Sequence, residues 1–235
     1  MNSRKRNWIA IAGIGLGVMM PLKVAFAAAD SDALRNLTAE WWQWAYSIPT
    51  NENPTLDATG EDCSLGQRGS TWFLAGTSGG GPAVRNCSVP EGKEIFFPVA
   101  NITYLNTPNV CGQGPQDIPV GEMRAAIAGL IDGVTKRAAQ IDGRPLRLRR
   151  VQSRVFDITL PEDNLFDAPC AELGGQPGGI FSPAVDDGYY VRLHPLSVGE
   201  HTLHVHAENP EIEFLLDVTY HLTVVPVSLR ARRGD

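Results

Sequence analysis

Beyond Met20 the sequence has no apolar run approaching the ~20 residues that a helical membrane span needs. It also has no C-x-x-C pair, so the usual spacing of a structural zinc site is missing. No internal repeat and no regular alternation of strand and helix patterns runs through it, which excludes a solenoid and a doubly wound α/β domain. Positive charge is short as well. Removing the basic residues Arg4, Lys5, Arg6 and Lys23 of the N-terminal segment takes the formal net charge from -6 to -10. Such a surface repels phosphate backbones, which argues against nucleic acid as a partner and against anionic membrane surfaces.

What is present begins with a leader. Arg4, Lys5 and Arg6 precede an apolar stretch from Trp8 to Met20, and Ala25-Phe26-Ala27 supplies the small-x-small pattern that a signal peptidase cuts after. We expect residues 1–27 to be a cleaved signal peptide and the mature protein to be periplasmic or secreted. No cysteine follows the cut, so a lipid anchor is not expected. About 208 residues remain, enough to bury roughly 70% of the unfolded surface in one core. Cys63, Cys87, Cys111 and Cys170 all lie in that part, an even number that reads as two disulfides in an oxidising compartment. Three pairings are open. Cys63 with Cys87 and Cys111 with Cys170 is favoured because the first pair flanks one hairpin-like segment, each link stabilising by about 3 to 4 kcal/mol.

Periodicity predicts the elements. Leu34, Leu37, Trp41, Ala45 and Ile48 form a helical stripe over 32–48, with Asp30 and Ser31 placed to cap its start and Pro49 to end it. Residues 50–70 read as loop. Strands follow over 71–75, 83–89 and 94–99, most simply a β-meander, with Pro98 confined to an edge or a bulge. Met123, Ile127, Leu130, Ile131, Val134, Ala138 and Ile141 predict a helix over 120–141. Strand patterns return over 146–151, 154–160 and 189–193, residues 161–187 read as a polar loop, and 199–206 with 214–225 reads as a hairpin. The expected fold is mostly β: an antiparallel β-sandwich with two accessory α-helices, stabilised by disulfides, in one domain over 28–235. Within it a helix and meander span 28–118, a helix 119–142, a β-rich half 143–228 and a basic tail 229–235.

Several motifs together resemble an uncharacterised family of exported bacterial proteins. They are Trp41-Trp42-x-Trp44, Trp72-Phe73-Leu74-Ala75-Gly76-Thr77 with its glycine turn, Cys87-x-Val89-Pro90, Ile95-Phe96-Phe97-Pro98-Val99-x-Asn101, Asp187-Gly188-Tyr189, and Pro195-Leu196-x-x-Gly199-x-His201-Thr202. The resemblance implies export and a single domain, and brings no activity or catalytic residue.

Candidate chemistry is read from the residues. If Leu203 and Val205 share the apolar face with Phe214, Leu216 and Val218, then His204 and His206 share the other with Asp217, Thr219 and His221. Two imidazoles at strand spacing with Asp217 and His221 supply enough donors for a zinc, copper or iron ion. The competing reading is a polar, solvated sheet face. His201 falls on the core side as a hydrogen-bonded structural residue. Gly76-Thr77-Ser78-Gly79-Gly80 matches G-x-S-x-G, but an extended segment follows where a nucleophile elbow opens into a helix, so Ser78 reads as part of a hairpin turn.

Trp42 projects away from the Leu37 and Trp41 stripe, so Trp42 and Trp44 are candidate ligand-binding indoles, against the alternative of packing under a loop. Glu40 beside them is a candidate site acid with no partner carboxylate placed. Arg144, Arg147, Arg149, Arg150 and Arg154 form a basic strip that suits either an acidic ligand or surface pairing with carboxylates. The functional expectation is a non-catalytic exported module binding a small ligand, a glycan or an envelope partner. The alternatives are a metal-dependent enzyme built on the histidine cluster and a structural or assembly factor of the envelope.

Overall fold

A computed structural model describes residues 22–77 and 81–227, with side chains from Asp30 onward. Most of the expected leader, Ser78 and the tail over 229–235 lie outside the described residues. In chain order the strands are β1 (Thr71–Phe73), β2 (Gly81–Pro90), β3 (Glu94–Leu105), β4 (Lys136–Ile141), β5 (Arg144–Pro145), β6 (Arg149–Gln152), β7 (Phe156–Leu160), β8 (Gly179–Leu193), β9 (Gly199–Asn209) and β10 (Phe214–Val225). The helices are α1 (Leu22–Tyr46), α2 (Val120–Asp132) and the single turn α3 (Asp167–Cys170). The fold is mostly β, and both favoured disulfides are present: Cys63–Cys87 with Cα atoms 6.0 Å apart, and Cys111–Cys170 with Cα atoms 5.1 Å apart.

Two five-stranded sheets face each other. The first runs β1-β3-β8-β6, with β7 also paired to β8; the second runs β2-β10-β9-β4-β5. Between them lies one apolar cluster containing Ile95, Phe97 and Val99 from the first sheet and Leu203, Val205, Leu216, Val218 and Leu222 from the second. The outer face of the first sheet carries α1 in a second cluster with Phe96, Val151, Ile158 and Tyr190. Its inner face is extended by α2, whose Met123 and Ile127 pack on Val185. A strand covered on both faces has no polar side to present, hence the unbroken run Ile95-Phe96-Phe97-Pro98-Val99-Ala100, every residue of it buried. The second sheet has one wet face, so β2 and β10 alternate buried and accessible residues.

Four expectations about elements are corrected. The three strands after residue 70 are not a meander: β1 pairs in parallel with β3, while β2 lies in the other sheet, in parallel with β10. The sheets are therefore mixed, and β1 and β2, consecutive in the chain, belong to different sheets. Helix α2 stops at Asp132 with Gly133 as its C-cap, and residues 136–141 form β4 against β9. Ile141 fits strand alternation with Ala139 as well as it fits the helical stripe, Ala138 of that stripe is exposed, and the long-range ladder decides. The polar loop ends at 178, because β8 begins at Gly179. Helix α1 begins upstream of Asp30 and Ser31, which therefore lie within it and cap nothing. Pro98 behaves as expected, next to a bulge between Pro98 and Ala100.

The loop over 50–70 is fastened to both layers. Asn53 is buried and donates to the carbonyls of Ala45 and Ile48 at 2.8 Å each, satisfying groups orphaned at the end of α1. At Gly60 the loop lies directly on β2, with Asn86 N donating to Thr59 O at 2.7 Å. The φ of +92° favours glycine, and a Cβ there would collide with the Asn86 carbonyl. Gly60→Ala is therefore expected to lower stability by about 2 kcal/mol or more. Urea unfolding checks this: the midpoint should fall while the slope stays unchanged.

Candidate functional site

The aromatic face of α1 needs partners on more than one side. Trp41, Trp42 and Trp44 are all buried, because the sheet takes one flank of the helix and the loops over 50–70 and 161–178 take the others. Each indole N–H is satisfied: Trp41 donates to Leu74 O at 2.9 Å, Trp44 to Leu65 O at 2.8 Å, and Trp42 to the Asp186 carboxylate at 3.1 Å. Trp42 and Trp44 are thus packed indoles, the arrangement weighed against open ligand-binding faces. Trp42 nonetheless forms part of the wall of a cavity of about 320 Å³. Tyr46, Phe166, Phe214 and Leu216 line it with Trp42, and Thr55, Thr77 and Asn101 contribute polar groups.

Behind this wall lies a buried polar network that strand patterning did not reveal. Asp186 is fully buried on β8. Its carboxylate accepts from Trp42 Nε1, from Ser153 N at 3.1 Å and from the Tyr190 hydroxyl in a very short bond. The Tyr190 oxygen in turn accepts from Asn101 Nδ2 at 3.2 Å, which links the network to the cavity. Asn101 faces Gly188 across the β3–β8 ladder. A Cβ at Gly188 would lie 2.6 Å from the Asn101 Cβ, so a glycine is needed for Asn101 to take this position.

Burial pushes the Asp186 carboxyl up to about 6, although the hydrogen bonds from Tyr190, Trp42 and Thr38 act the other way. Burial, followed by the charge of Asp186, raises the Tyr190 phenol well above its ordinary value. Asp187 points to the opposite face. There it accepts from Arg150 Nε and Nη2 at 3.0 and 2.9 Å and from Gln152 Nε2 at 3.1 Å.

The hairpin register is as expected, with His206 opposite Asp217 and His204 opposite Thr219. His204 Nε2 lies 2.8 Å and His206 Nδ1 3.3 Å from separate oxygens of Asp217, and His206 Nε2 lies 3.0 Å from Glu208. His221 pairs with Thr202 farther along and joins none of these contacts. Among the described residues no group of three or more His, Cys, Asp or Glu has a metal-holding arrangement. The imidazoles and Asp217 therefore form a hydrogen-bonded strip on the wet face of the second sheet. His204 holds the Asp217 carboxyl below its ordinary value, and burial opposes this.

His201 sits at the start of β9 with its side chain largely covered, bonded to Asp142 at 2.7 Å and to Ser197 O at 2.9 Å. The basic strip pairs with acids: Arg150 with Asp187 and Asp132, and Arg149 with Asp30. Glu40 lines a broader cleft of about 700 Å³ with Trp44 and Asp157, a carboxylate the sequence did not place beside it. No family model matches the chain, and neither a curated protein nor a solved structure matches it.

The Asp186 carboxyl binds its proton more tightly in the folded protein than in the unfolded chain. The stability linked to it is complete below the unfolded value of 3.8 and is lost as pH rises through about 6. About two units correspond to about 3 kcal/mol. Thermal unfolding of the wild type and of Asp186→Asn across this range tests the point. The wild type should lose stability relative to the variant as pH rises from about 4 to 6.5, and parallel curves would refute it.

Proposed function

We propose that this is an exported, non-catalytic binding protein that takes a small, largely apolar ligand into the cavity between α1, β3, β10 and the loop around Phe166. The observation that carries this reading is the cavity itself. It is preformed and concave, aromatic on several sides and supplied with few polar groups, which is the composition of small-molecule sites. A volume of about 320 Å³ suits a molecule of one or two rings.

The chemistry of the wall favours binding over turnover. Asp186 and Tyr190 lie sealed behind Trp42 and Asn101, and the polar groups on the wall are an amide and two hydroxyls. Such groups orient a ligand but exchange no proton with it near neutral pH. Export is supported by the leader, by the resemblance to exported bacterial proteins and by two disulfides, which fit a periplasmic or secreted location. No helix among the described residues is long and apolar enough to cross a membrane.

The test is a screen of small aromatic and aliphatic compounds, read by indole fluorescence and isothermal titration. Leu165→Trp, which places a larger side chain on the cavity wall, should abolish binding without unfolding the protein. The double variant His204→Ala, His206→Ala lies on the other sheet's wet face and should bind as the wild type does. Loss of binding in the histidine variant with retention in Leu165→Trp would overturn the reading.

A further inference from the structure

Resting on that reading of the cavity, we propose that its ligand is a mainly apolar, ring-containing molecule that carries one hydroxyl or N–H donor and docks it on Asn101 Oδ1. The inference follows from the direction in which hydrogen bonds must run. An ionised carboxylate only accepts, so Asp186 obliges the Tyr190 hydroxyl to spend its single proton on it. The phenol oxygen is then left only as an acceptor. It meets Asn101, whose amide must turn its Nδ2 toward it, and the bond is 3.2 Å long.

One Nδ2 hydrogen is committed to the phenol, which fixes which way round the amide lies, and the amide oxygen accepts no hydrogen bond from any described residue. Asn101 lines the cavity, and its backbone is held in the ladder opposite Gly188. Asn101 Oδ1 is therefore an acceptor held two hydrogen bonds away from the charge that orients it. The Thr55 hydroxyl donates to Asn53 Oδ1 at 2.8 Å, whereas the Thr77 hydroxyl has no partner among the described residues and rotates to donate or accept. A ligand that brings only an acceptor against Asn101 Oδ1 leaves two lone-pair groups facing each other beside an aromatic wall, which is costly.

The experiment compares p-cresol with 4-methylanisole and toluene by isothermal titration at pH 8, where Asp186 is ionised. Roughly tenfold tighter binding of p-cresol than of its methyl ether is expected. Asn101→Leu should bring the three compounds to similar affinity. Tyr190→Phe frees the amide to turn over, so it should narrow the gap between p-cresol and 4-methylanisole while toluene binding persists. Equal binding of p-cresol and 4-methylanisole to the wild type would overturn the donor requirement and leave the cavity as a binding site. Failure of all three to bind at millimolar concentration would overturn the cavity reading, and this inference with it. The wild-type comparison needs no variant to fold.

Discussion

Two carboxylates on consecutive residues of one strand organise the molecule. Neighbouring positions in a strand face opposite sides, so Asp186 and Asp187 stand back to back in the middle of β8, each completely buried. Asp186 draws in Trp42 of α1 and Tyr190 of its own strand. Asp187 holds Arg150, which also reaches Asp132 and the Ala128 carbonyl of α2. One helix layer is thus tied to each side of the sheet through adjacent side chains. Removing one partner of such a group leaves an unpaired charge in a low dielectric, a far larger loss than the pair itself contributes. The ties therefore specify which helix lies where more than they add to net stability.

The cavity is a by-product of the same arrangement. Helix α1 is drawn onto the sheet by the Asp186 network at one point and by the Trp41 and Trp44 hydrogen bonds at others. Close to the end of the helix Tyr46 stacks edge-on with Phe166 from the loop, and the space between them and β10 stays unfilled. The residues around this space come from segments far apart in sequence. Trp42, Thr77 and Asn101 line the cavity, so three of the sequence motifs meet there, and Gly188 of a fourth lies opposite Asn101. Gly188 has its role there: it is the clearance that lets Asn101 occupy the wall.

Sequence patterning read the β9–β10 hairpin of the second sheet well and the first sheet poorly, for a physical reason. Strands with one wet face alternate, and Leu203, Val205 and Leu216 marked the apolar face of the hairpin, which puts His204, His206, Asp217 and His221 on the other and leaves the register itself open. Both disulfides are the favoured pair of the three open pairings, although the segment that Cys63 and Cys87 flank is not a hairpin, since β1 and β2 lie in different sheets. In the first sheet both faces are dry, so β3 gives an apolar run with no hint of its neighbours, and its parallel pairing with β1 left no local trace. Asp186 escaped notice because acidic residues beside a glycine read as solvated loop, whereas the surrounding donors allow them to be buried. Trp42 was seen to leave the stripe of α1, but the loops that cover it follow only from tertiary packing.

The parallel contact between β2 and β10 sets an order of events during folding. Arg85 on β2 is buried and bonds to Tyr220, its cross-strand partner 135 residues later, and to the carbonyls of Ala75 and Gly76. A chain synthesised from its N-terminus cannot supply that partner until nearly the last strand has appeared. Until then β2 has an unpaired edge, and a guanidinium meant for the interior remains in water. Pairings of such long range form slowly because loop closure precedes any compensating contact. The second sheet is thus completed only by the C-terminal strand, which lies between β2 and β9.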